Sequence, residues 1–181
     1  MIAAENNIIV RVDLEQKNEV VINNNTLFTG RNYNENFRER NPVLAYVEQG
    51  LGEIKKGQWI VCNYSHFDWS SPFLLYDNLF SIPVDEEIFA RVLEDGTLSP
   101  VCGNVIVTRV KEPSFLEFPP ELVKEYHDRG YVANDGMGYK KGDFIFWLPK
   151  SDHEIVYFWN GEERRTIKIF HKEIVGVLKN I

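Results

Sequence analysis

The chain has 181 residues, 44% of them hydrophobic and 13% aromatic, and 20 Lys and Arg against 27 Asp and Glu leave a formal net charge of −7. That acidic balance argues against nucleic acid as the main partner, because phosphate binding needs clustered Lys and Arg. The apolar content supports a packed core and excludes general disorder, while the strongest apolar runs, such as Phe144 to Leu148, fall far short of the ~20 residues of a membrane helix.

The N-terminal Met1-Ile2-Ala3-Ala4-Glu5-Asn6-Asn7 has no basic segment followed by a long apolar one, so no secretion signal is expected. Strands are expected at Ile8 to Val12, Pro42 to Val47, Gln58 to Asn63, Leu79 to Pro83, Asn104 to Val110, Tyr131 to Ala133, Asp143 to Leu148, Glu154 to Trp159 and Thr166 to Phe170. Between them Lys56-Gly57, Asp95-Gly96, Asp135-Gly136, Lys141-Gly142 and Asn160-Gly161 supply the positive-φ tolerance that tight turns require. Pro83 to Phe89 and His171 to Ile174 are each short enough for one helical or 3-10 turn. The expected fold class is therefore all-β. Cys62 and Cys102 show no CxxC spacing, which fits a reducing, cytoplasmic setting better than a disulfide framework or a zinc site.

Internal similarity divides the chain. Tyr131-Val132 repeats Tyr46-Val47 at a shift of 85, Lys140-Lys141-Gly142 repeats Lys55-Lys56-Gly57 at the same shift, and Val177 follows Val92 by 85 again. The opening strands, Asn7 to Val12 and Asn104 to Val110, differ by about 97, so the segment after the first strand is longer in the first half. The expectation is a tandem duplication, with one small β module at 1–96 and a second at 97–181.

The order of elements resembles the chaperonin-10 family, the co-chaperonins of the GroES type. The first half carries the resemblance in Ile9-Val10, Thr26-Leu27-Phe28-Thr29-Gly30, Arg40 to Val47, Lys56 to Val61 and Val84 to Val92. The second carries it in Leu98 to Val107, Arg129-Gly130-Tyr131-Val132, Lys141 to Phe146 and Glu173 to Val177. Two departures stand out: Asn41-Pro42 replaces the glycine that follows the family's Arg, and an aromatic segment, Tyr64 to Phe73, replaces the usual roof. The resemblance implies two GroES-like β-barrel modules with long flexible loops. It also implies a homo-oligomeric ring that caps a chaperonin-60 ring and assists ATP-dependent folding. ATP would be bound by the chaperonin, so no cofactor of this chain is expected. Single-module relatives form seven-fold rings, and seven cannot be divided among chains of two modules, so the ring geometry has to differ.

The polar stretch Asn18 to Glu39 holds seven Asn and cannot alone bury enough apolar area to fold. Within it Thr26, Leu27, Phe28 and Thr29 are the expected chaperonin-binding residues, and Phe115, Leu116 and Phe118 are their counterparts in the second loop. Burying Leu27 and Phe28 in a partner groove would stabilise by ~1.5–3 kcal/mol each, against ~2–5 kcal/mol for ordering the loop. One loop then binds weakly, and several on one ring bind tightly. The bland alternative is that these side chains pack on their own module. The aromatic group Phe67, Trp69, Phe73 and Tyr76 is expected between the two modules, where Trp, Tyr and Phe are enriched. His66, His127, His153 and His171 are dispersed, and no nucleophile elbow or phosphate loop is present, so neither a metal site nor an enzyme is expected. The competing function is a structural or assembly protein, viral for example, that retains the duplicated barrel without chaperonin binding.

Overall fold

A computed structural model describes residues 3, 5–12, 19–22, 25–28, 43–63, 67, 72–76, 78–111 and 124–180. β-Branched and aromatic runs become strands, some with alternating burial, such as 79–83 and 144–147, and no α-helix occurs among the described residues. The chain is all-β. No helix among the described residues is long and apolar enough to cross a membrane.

In chain order the strands are β1 (Asn7–Arg11), β2 (Glu19–Ile22), β3 (Asn25–Phe28), β4 (Val43–Gln49), β5 (Trp59–Cys62), β6 (Leu74–Tyr76), β7 (Leu79–Pro83), β8 (Ile88–Val92), β9 (Leu98–Pro100), β10 (Asn104–Lys111), β11 (Glu125–Val132), β12 (Phe144–Trp147), β13 (His153–Trp159), β14 (Glu162–Phe170) and β15 (Ile174–Leu178). A 3-10 turn, His171–Glu173, joins the last two, as expected. The segment Pro83 to Phe89 instead turns at residues 84–87 and enters β8 at Ile88.

All pairing is antiparallel. One sheet runs β6-β7-β1-β4-β5-β8-β9, another runs β13-β14-β10-β11-β12-β15, and β2 pairs with β3 alone. Without β9 the two orders coincide strand for strand. The register coincides as well: Arg11 faces Tyr46 as Thr108 faces Tyr131, Tyr46 faces Trp59 as Tyr131 faces Phe144, and Ile8 faces Ile82 as Val105 faces Ile169. Even the bulge between Val61 and Cys62 recurs between Phe146 and Trp147. Pairing also corrects two alignments made on sequence. Trp59 faces Val92 while Phe144 faces Leu178, so the closing strands are shifted by 86, and Leu178, not Val177, is the counterpart of Val92. The counterpart of Gly130 is Ala45, and that of Arg129 is Leu44 rather than Arg40.

As described, each sheet is open. In the first, the edge of β8 that would close a barrel is taken by β9.

The Lys-Lys-Gly turns repeat bond for bond. Gly57 N donates to Val47 O at 2.9 Å and Gly142 N to Val132 O at 2.8 Å, with φ of 87° and 90° that only glycine adopts without strain. Lys55 N donates to Gln58 Oε1 at 2.7 Å, and Lys140 N donates to Asp143 Oδ2 at 2.8 Å. The difference is charge. Lys179 Nζ, 2.8 Å from Oδ2, and the amides of Lys140 and Asn180 hold the Asp143 carboxyl down to about 2. A depressed acid stabilises the fold above its unfolded value near 3.8, and that contribution is lost as pH falls through about 2. Amide signals of Lys179 and Asn180 are therefore expected to shift in an NMR titration over this window. Asp143→Asn should abolish the shift, while the Gln58 turn stays indifferent to pH.

Three apolar clusters follow from this layout. Ile8, Val10, Ile60, Phe67, Phe80 and Ile82 belong to the core under the first sheet. Val105, Val107, Val132, Ile145, Trp147 and Ile169 form the core under the second. Val61, Phe89, Ala90, Val92 and Leu98 meet Ile106, Ile155 and Tyr157 in a third cluster that seals one sheet to the other. This seam explains why β10 is buried on both faces from Asn104 to Val107.

Candidate functional site

Of the expected docking residues, Thr26, Leu27 and Phe28 lie in β3, while Thr29, Phe115, Leu116 and Phe118 lie outside the described residues. The stretch read as a polar loop contains a paired hairpin. Val20 faces Leu27, Glu19 faces Phe28 and Ile22 faces Asn25 in an antiparallel pair. The signal was present in the sequence: Val20-Val21-Ile22 and Thr26-Leu27-Phe28 flank three Asn, residues prone to such turns.

The two loop segments leave the sheets from corresponding places, between β1 and β4 and between β10 and β11. Their anchorage differs. Arg109, at the end of β10, donates Nε to Asp152 Oδ2 at 2.6 Å, and its Nη2 also contacts that oxygen. His127 Nδ1 is 3.4 Å from the same oxygen, and Glu125 is 3.8 Å from Arg109. The Asp152 side chain is only 4% exposed. In the first sheet the counterpart of Arg109 is Val12. Phe67 has the same sequence offset from β5 as Asp152 has from β12, and both Val12 and Phe67 are fully buried. One loop base is apolar and the other is a nearly dry ion pair.

The seam was not anticipated. Phe67 packs edge-on against Phe80, 5.2 Å away, Phe73 packs on the same first core and Tyr76 is exposed, while Trp69 lies outside the described residues. The bridge comes from the β13–β14 arm. Trp159 meets Trp59 at 6.3 Å, Tyr157 Oη donates to Gly96 O at 2.8 Å, and Arg164 Nη1 donates to Asp95 O at 2.8 Å. Asn104, fully buried, donates Nδ2 to the carbonyls of Glu86, Ile88 and Val101. Lys168 lays its ammonium on the Phe89 ring at 4.3 Å, and burial lowers its pKa against the pull of Glu87, Glu173 and Glu86. Beside the seam runs an open groove of about 730 Å³, between Thr97 and Leu98 on one side and Tyr131, Tyr157, Arg164 and Thr166 on the other. Among the described residues no group of His, Cys, Asp and Glu side chains is arranged to hold a metal ion.

Fold and site together define an all-β protein of two antiparallel sheets with one strand order, welded by an apolar seam, with a long segment leaving each sheet at the same point. Comparison with known protein families, with curated proteins and with solved structures finds no match to this chain.

Proposed function

We propose that the chain is a co-chaperonin of two tandem GroES-like modules, 1–96 and 97–181, that caps a chaperonin-60 ring and assists ATP-dependent folding by docking its loops. One observation carries the reading: a common strand order and register in both halves, each interrupted by a long insertion between the first and second strands of its sheet. Only the first insertion has described structure, and it is the one with Thr26-Leu27-Phe28.

The hairpin changes the energetics of docking. A two-stranded hairpin of four-residue strands is marginal by itself, yet pairing already present before binding lowers the ~2–5 kcal/mol ordering cost that a disordered loop would bear. Each contact becomes somewhat tighter while remaining weak enough to release, and multiplicity on an oligomer supplies the rest. Thr29, Phe115, Leu116 and Phe118 retain their proposed docking roles. ATP stays with the chaperonin.

Native mass spectrometry of the chain mixed with a chaperonin-60 ring tests the reading. A complex that forms only with nucleotide, and that disappears when residues 26–30 are deleted, is the expected result. In a chaperonin-dependent refolding assay the same deletion should abolish assistance. Unchanged refolding by the deletion variant would sink the proposal and favour an assembly protein that kept the fold without the partner.

A further inference from the structure

The strand pairing leaves a fork beside the seam. β10 runs on to Lys111 and β14 begins at Glu162, yet the two pair only over residues 104–107 and 167–170. Beyond that point β11 holds the far side of β10, and β13 holds the far side of β14. The edges turned toward one another, 108–111 and 162–166, have no strand partner among the described residues. The groove of about 730 Å³ lies in this fork. Arg164, Arg165 and Thr166 line it as three consecutive residues. Successive side chains of a strand point to opposite faces, so such a run presents an edge and not a face. An unpaired edge is a template for another extended chain.

The charge of the groove decides which chain fits. Across the whole sequence acids outnumber bases, 27 to 20, but Lys141, Arg164 and Arg165 line the groove and no Asp or Glu does. Arg164 is anchored by a neutral group, Asp95 O, and its contact to Glu162 is 3.7 Å long. Arg165 meets Glu163 and Glu154 from a side chain that is 63% exposed, a surface pairing that water and salt weaken. Asp135 meets the backbone amide of Lys141 and gives its other oxygen to Lys140 Nζ at 2.9 Å. Between the charges lie Thr108 and Tyr131, paired in register, with Tyr131 50% exposed. We propose that the fork is a binding site for an extended acidic peptide of a partner protein. The peptide adds as a strand along the free edge of β14 and sets its carboxylates toward Lys141, Arg164 and Arg165. The inference is independent of chaperonin docking, which uses other residues.

Fluorescence anisotropy with labelled peptides of about eight residues, within the usual length of a strand, is the test. A peptide alternating Glu and Val should bind, and its Lys-for-Glu counterpart should bind about tenfold more weakly or worse. Lys141→Glu combined with Arg165→Glu, both exposed, should invert that order and leave the melting curve unchanged. Methylating every second backbone nitrogen of the Glu peptide, in one register or the other, should abolish binding, because a strand donates those hydrogens to the edge it joins. No binding of the Glu peptide, equal binding of the Glu and Lys peptides, a preference that survives the double substitution, or full binding by both methylated forms would each overturn the proposal. So would a deoxythymidine oligonucleotide that binds as tightly as the Glu peptide, since the groove would then read negative charge and not an extended backbone. The double variant should still form the nucleotide-dependent complex with a chaperonin-60 ring, so the two readings stand or fall separately.

Discussion

Replacing Asp152 with Ala should lower the free energy of unfolding by about 3–5 kcal/mol, because it strands the Arg109 guanidinium in a site where water barely reaches. Arg109 is only 17% exposed and makes its shortest contacts with the lost carboxylate. Among the described residues Glu125, at 3.8 Å, remains as an acidic partner, which places the effect toward the lower end of that range. A second variant separates the cost of an orphaned charge from the value of the pair. In the first sheet the residues at the matching sequence positions, Val12 and Phe67, are apolar members of one buried cluster. Arg109→Val with Asp152→Leu should therefore recover most of the loss, since a buried pair is frequently matched by apolar groups of similar volume. Urea unfolding of the two variants beside the wild type is the measurement. A single substitution that costs less than about 1 kcal/mol would mean the pair is solvated in solution like an ordinary surface bridge.

How much of this was legible in the sequence depends on whether the deciding interaction is local. The Lys-Lys-Gly turns were, because each closes within a few residues and needs a positive-φ glycine that leaves its mark at a fixed spacing. The equal shift of the Tyr-Val and Lys-Lys-Gly anchors was legible for the same reason. The closing strands were misaligned by one residue because β8 and β15 are placed by long-range pairing to β5 and β12, whose bulge no local pattern announces. The Arg-Gly pattern misled in a related way. Leu44 and Ala45, not Arg40 and Asn41, occupy those places in β4, since register is set by the buried alternation of Ala45 and Val47. The hairpin β2–β3 is obscured in the sequence because seven Asn between residues 18 and 39 outweigh two strand-forming runs of three residues. The seam was invisible because its partners, Gly96 with Tyr157 or Trp59 with Trp159, are brought together by topology alone.

Trp147 tests whether the two sheets also unfold as two units. It is 2% exposed in a core with five other buried members among the described residues, and its Nε1 donates to His127 O at 2.8 Å. Trp147→Ala should cost about 3–5 kcal/mol through lost burial and a cavity that so small a cluster cannot collapse around. Trp147→Phe keeps most of the volume and loses the hydrogen bond, so about 1–2 kcal/mol is expected. Where the loss appears is the more telling result. The core that holds Ile8, Val10, Phe80 and Ile82 shares no residue with the one that holds Trp147, so hydrogen exchange should accelerate in β12 and β15 while β1 and β7 keep most of their protection. Against that stands the seam, where Ile106 and Tyr157 of the second sheet help bury Phe89 and Val92 of the first. If amides of both sheets accelerate together in Trp147→Ala, the seam couples them more strongly than either core holds itself. The duplicated architecture would then fold as one cooperative body.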